Sequence, residues 1–106
     1  MEQFTIGMPV RNRISVANDA IQLCLKNSPY EILIIDDVSD NPDASYINDS
    51  RVKIIYNKEK QNIVKTWNQI LRESTTDNVI FACDKIRPKV SDFKIIEENI
   101  SKGFGC

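Results

Sequence analysis

The stretch Glu31-Ile32-Leu33-Ile34-Ile35-Asp36-Asp37 decides the fold. A strand with one wet face alternates apolar and polar residues. An unbroken apolar run that stops at a pair of acids is instead the pattern of a central strand in a parallel sheet, covered on both faces. Upstream, Phe4–Val10 predicts a first strand ended by Pro9 and the polar Arg11-Asn12-Arg13. Ile14, Ala17, Ile21, Cys24 and Leu25 then recur at helical spacing, and that helix stops before Ser28-Pro29. Downstream, residues 38–50 are rich in Asp, Asn and Ser and predict a loop with room for one helical turn. Val52–Tyr56 predicts a third strand. Asn62 caps a helix whose expected buried face is Ile63, Trp67, Ile70 and Leu71. Asp77-Asn78 turns into a fourth strand over residues 79–83, and an amphipathic helix follows Ser91 with Phe93, Ile96 and Ile100 on one side. This order defines an α/β fold of three layers: a mostly parallel sheet of about four strands flanked by helices, in one domain over residues 1–106.

Composition narrows function by exclusion. The 106 residues are 42% hydrophobic, enough for a core without disulfides or metals. Lys and Arg number 14 against 15 Asp and Glu, with no block of like charge, so neither a nucleic-acid-binding arm nor a polybasic membrane patch is expected. The absence of His removes an imidazole base, a Ser-His-Asp triad and a His-ligated metal from these residues. Only three Gly occur, including Gly103 and Gly105, too few for a Gly-rich phosphate loop. Cys24, Cys83 and Cys106 are odd in number and widely spaced, so reduced thiols and a cytoplasmic location are expected rather than a zinc site or a disulfide framework. Met1-Glu2-Gln3-Phe4 lacks the apolar run of a signal peptide, and no stretch nears the ~20 apolar residues of a membrane span.

In open parallel sheets, ligands bind beyond the carboxyl ends of the strands, near the point where strand order reverses. Pro9, Arg11, Asn12 and Arg13 follow the first strand, Asp36 and Asp37 the second, and Cys83, Asp84 and Lys85 the fourth. Carboxylates accept hydrogen bonds from base N–H or ribose hydroxyl groups, or hold a divalent ion through oxygen. Arg and Lys neutralise phosphates. The combination suits a nucleotide carrying phosphates. Each residue also has a plain structural reading. The acid pair can serve as turn residues, the arginines as surface charges, Trp67 as core, and Cys83 as a small hydrophobe at the end of a buried strand.

Four segments together resemble the family 2, GT-A type glycosyltransferases. Phe4-Thr5-Ile6-Gly7-Met8-Pro9-Val10-Arg11-Asn12-Arg13 is similar to that family's opening strand and loop, and Ile32–Asn41 to its second strand and acidic turn. Arg51-Val52-Lys53-Ile54-Ile55-Tyr56-Asn57 resembles the third strand with its trailing Asn, and Trp67-Asn68 lies where the family often has Arg-Asn. The resemblance implies a GT-A, Rossmann-like half-domain that binds a nucleotide-diphosphate sugar, a UDP-sugar among the expected donors. It implies that Pro9, Arg11, Asn12 and Asp37, with Arg13 and Asp36 beside them, line the base and ribose.

The family's Asp-x-Asp after the fourth strand holds Mn or Mg against the diphosphate. Here that stretch is Phe81-Ala82-Cys83-Asp84-Lys85-Ile86-Arg87-Pro88, and only Asp84 remains as a candidate metal ligand. Weak or absent metal dependence is expected, with Lys85 or Arg87 partly replacing the ion. Gln61-Asn62 replaces the Gly-containing turn usual before the second helix. The chain ends at Cys106, before the region that supplies the acceptor site and the base in the family, so the expectation is a short or truncated member working on an acceptor the sequence does not define, alone, as a homo-oligomer or with a partner chain. The competing reading is a non-catalytic nucleotide-binding or protein-interaction module. A phospho-accepting receiver domain fits less well, because it expects its acid pair after the first strand.

Overall fold

The computed structural model describes residues 4–76 and 78–101. Asp77, Gly103, Gly105, Cys106 and the side chain of Ile100 fall outside the described residues. Seven elements follow in order: β1 (Phe4–Val10), α1 (Ile14–Asn27), β2 (Glu31–Asp36), β3 (Val52–Tyr56), α2 (Ile63–Glu73), β4 (Asn78–Phe81) and α3 (Val90–Ser101). All strand pairs are parallel, in the order β3-β2-β1-β4. Strand order therefore reverses between β1 and β4, and β2 is covered on both faces as its apolar run predicts, with Ile32 through Asp36 all buried.

Pleating sends alternate side chains to opposite faces. Phe4, Ile6, Met8 and Val10 join Ile32 and Ile34 in a large cluster with Ile14, Ala17, Ile21 and Cys24 of α1 and Phe93 of α3. Leu33 and Ile35 point the other way and meet Ile70 of α2. Gly7 lies on that second face, where an added Cβ would stand 2.3 Å from Ile70 Cγ2, so this close approach of helix to strand requires the missing side chain.

Pro9 sits inside β1 without breaking the sheet. Gly7 C=O accepts from Ala82 N–H on the β4 side and Val10 C=O accepts from Asp37 N–H on the β2 side. Residue 9 shares the β4 side with residue 7, and β4 has ended there, so the absent N–H forfeits nothing. Strand β4 is also shorter than expected. The sequence pattern carries it to Cys83, but it stops at Phe81, level with the point where the next donor on that edge of β1 would be Pro9.

Three further expectations need correction. Cys83 is exposed rather than packed at a strand end. Residues 38–50 contain no helical turn; they are stitched to α1 by side chains instead. Ser15 donates its N–H to Asp43 Oδ1 (3.0 Å) and its hydroxyl to Asp43 Oδ2 (2.5 Å), so Asp43 caps the start of α1 from a distant loop. Those bonds hold the Asp43 carboxyl below the usual carboxylate range. Asn18 binds Ser45 C=O and Ile47 N–H in the same manner. Lastly, α2 buries Thr66, Gln69 and Ile70, while Ile63 and Leu71 are exposed. Its cap is as expected, with Asn62 accepting from Lys65 N–H.

Candidate functional site

The carboxyl ends of β1 and β2 and the start of α2 enclose a cleft of ≈ 280 Å³. Pro9, Val10 and Arg11 form one wall, Ile63 and Thr66 another, and Asp37 and Gln61 supply polar groups. Asp37 is buried, at 9% exposure. Its Oδ1 accepts from Gln61 N–H at 2.9 Å and from Asn57 Nδ2 at 3.4 Å. Its Oδ2 has no partner among the described residues. No fully buried side-chain oxygen among those residues lacks a partner, so Oδ2 keeps contact with solvent, and Asp37 lines the cleft. A carboxylate fixed on one side and open on the other is an acceptor waiting for a donor.

Asp36 has a different role. Its Oδ1 accepts from Ser39 N–H (2.9 Å), and its Oδ2 accepts from Ser39 Oγ (2.7 Å) and from the Tyr46 hydroxyl. Burial and this neighbouring carboxylate push the Tyr46 hydroxyl well above its ordinary value. Asp36 thus ties down the loop that follows β2 and has no oxygen to offer a ligand in this arrangement.

Asn12 has φ 66, a left-handed conformation that Asn tolerates better than most residues. It bridges two loops: its N–H donates to Ser39 Oγ, its Nδ2 to Asp40, and its Oδ1 accepts from Asn41 N–H. Arg11 pairs with Asp40 at 3.2 Å on the surface. The Asn12 bond, and after it the Arg11 guanidinium, keep the Asp40 carboxyl below the usual range.

Across the reversal point, Arg13 Nε lies 3.7 Å from Asp84 Oδ2. Lys85 is exposed with no partner among the described residues, and Arg87 reaches Asp19 at 3.9 Å. This donor set does not suit a divalent ion. The single acid, Asp84, already faces a guanidinium, Lys85 adds a second cation, and no three His, Cys, Asp or Glu side chains cluster as metal ligands among the described residues.

Of the residues named from sequence, the cleft gathers Pro9, Arg11 and Asp37. Asp36 and Asn12 serve as loop ties, and Arg13, Asp84 and Lys85 stand at the β1–β4 junction. Gln61 stood out in the sequence only as a replacement for the usual turn before the second helix; sequence reasoning missed Thr66 in the wall of the cleft and Gln69 behind it. Asn57 carried a signal only as the trailing residue of β3. The described residues contain no helix long and apolar enough to cross a membrane. Residues 5–85 match the model of the family described as glycosyl transferase family 2. Comparison with curated proteins gives no match.

Proposed function

We propose, on the premise that this chain belongs to glycosyl transferase family 2, that its cleft binds the nucleoside of a nucleotide-diphosphate sugar for glycosyl transfer. The observation that carries this is Asp37, which lines the cleft just beyond the carboxyl end of β2, its Oδ1 tied and its Oδ2 without a partner among the described residues. Pro9 and Ile63 give apolar walls for a base, and Oδ2 accepts a base N–H. A uridine donor suits a site with one open anionic acceptor, because the uracil imide carries one N–H. Arg11, which also lines the cleft, is assigned to the ribose, and Arg13, Lys85 and Arg87 are assigned to the charge of the diphosphate. With this donor set, phosphate neutralisation falls to fixed cations and metal dependence is weak. A cytoplasmic location goes with this reading, as does an acceptor bound by a further region or a partner chain.

A thermal-shift panel of UDP, UDP-sugars and other nucleotides, with and without Mn, tests the reading. A selective ligand raises the melting temperature by mass action. Asp37→Ala should weaken that ligand by about 10- to 100-fold, the loss of a hydrogen bond to a charged group. No shift with any nucleotide would sink the reading, and strict abolition by chelator would sink its metal-independent part. Binding without donor hydrolysis or transfer would assign the chain the role of a nucleotide-binding module.

A further inference from the structure

Helix α2 is seated against its own apolar pattern. Ile63, Val64 and Leu71 are 54%, 63% and 54% exposed, while Thr66 and Gln69 lie beneath the helix at 2% and 8%. A rotation that buried Leu71 would take more apolar surface out of water, the usual driving force for seating an amphipathic helix. Where a sequence overrides its own local pattern, function is competing with packing.

What this seating secures is the position of Gln69. Its Nε2 donates to Asn57 Oδ1 at 2.8 Å and its Oε1 accepts from Gln61 Nε2 at 3.2 Å. Both partners close on Asp37, Asn57 through Nδ2 and Gln61 through its backbone N–H. The four residues form a ring drawn from the ends of β2 and β3, the turn before α2, and α2 itself. An ionised carboxylate only accepts. Asn57 must therefore turn its NH₂ to Asp37 and its oxygen to Gln69, and Gln69 must then offer NH₂ to Asn57 and oxygen to Gln61. Every amide orientation follows from the charge on Asp37, and Gln69 closes the ring opposite Asp37 by bonding both Asn57 and Gln61.

We propose that Gln69 is a positioning residue. By locking Asn57 and Gln61 it holds Asp37 with Oδ1 tied and Oδ2 free, and so sets the discrimination between nucleobases. The proposal rests on reading the cleft as a nucleotide site. With Gln69 removed, the carboxylate can swing and accept from donors at other angles, so preference among bases falls while attraction for the diphosphate stays.

Calorimetric titration with UDP, CDP, ADP and GDP, on the wild type and on Gln69→Met, Asn57→Ala and Asp37→Asn, tests this alongside melting curves. The wild type should prefer one base over the weakest by about 10-fold or more, the worth of a charge-assisted hydrogen bond. Gln69→Met keeps the volume and loses the amide; it should compress that ratio toward unity. A purely structural Gln69 would weaken all four ligands together and leave the ratio intact, and that outcome overturns the proposal. Should Gln69→Met not fold, Asn57→Ala at a half-buried loop position decides the matter in the same way: an unchanged ratio overturns it. Failure of the wild type to bind any of the four removes the nucleotide reading and the proposal together. Loss of discrimination in Asp37→Asn with retention in Gln69→Met removes the proposal alone.

Discussion

The two faces of the sheet follow different rules. Under α1 and α3, strand and helix side chains merge into one continuous apolar cluster running from Phe4 to Phe93. Under α2 the buried apolar set shrinks to Leu33, Ile35 and Ile70, ringed by the half-buried Ile55, Trp67 and Val79, and the amide and hydroxyl of Gln69 and Thr66 take the remaining space. The first face concentrates the apolar burial that favours folding. The second gives up some of that burial, and the candidate cleft opens at its upper rim. On the proposed reading of the cleft, stability and recognition separate by which side of β1 and β2 a residue faces.

Ile34→Ala on the first face should give the largest effect. Ile34 is fully buried between β1, β3 and the α1 layer, and truncating such a side chain costs about 2–5 kcal/mol through lost transfer energy and a residual cavity. Urea unfolding should show a lower midpoint with little change in slope. A loss under about 1 kcal/mol would mean that the site collapses around the smaller side chain and that the two faces divide their labour less sharply.

Gly7→Ala probes the seam of the second face and should cost somewhat less. The new methyl meets Ile70 Cγ2 at 2.3 Å, so helix or side chain must shift, at about 1–3 kcal/mol for overpacking. Because Ile70 follows Gln69 directly in α2, that shift should also reduce nucleotide-induced stabilisation, which Ile34→Ala should leave nearly intact. Combining Gly7→Ala with Ile70→Ala removes the opposing Cγ2. The pair should depart from additivity by more than about 0.5 kcal/mol, and additive behaviour would deny the contact.

The same division explains what was legible in the sequence. Strands β1, β2 and β3 and helix α1 could be read because apolar runs and helical spacing report burial directly, and both faces of β2 are dry. Asp37 could be named as a candidate because parallel sheets place ligands at strand ends. The end of β4 was hidden, since it falls level with the missing N–H of Pro9 in a different strand. The split between Asp36 and Asp37 was hidden too: which acid is tied depends on Tyr46, ten residues away in a loop without periodicity. The seating of α2 misled most. Apolar spacing reports which face would bury the most surface, and it carries no signal that Gln69 must reach Asn57.

Leu71→Gln is the smallest expected effect and the most direct test of how α2 is seated. On spacing alone Leu71 belongs to the core, and its loss would be expected to cost as much as other buried leucines. In the structure it is 54% exposed, on the side of α2 away from Leu33 and Ile35. Glutamine and leucine have nearly equal helix propensity, so the change leaves the backbone preference alone and tests burial only. Stability should move by no more than about 0.5 kcal/mol in urea unfolding, as for surface positions generally, and base discrimination should not move at all. A loss above about 1.5 kcal/mol would place Leu71 under cover. It would then restore the apolar reading of α2 and remove the reason for thinking that Gln69 was kept inside at the expense of packing.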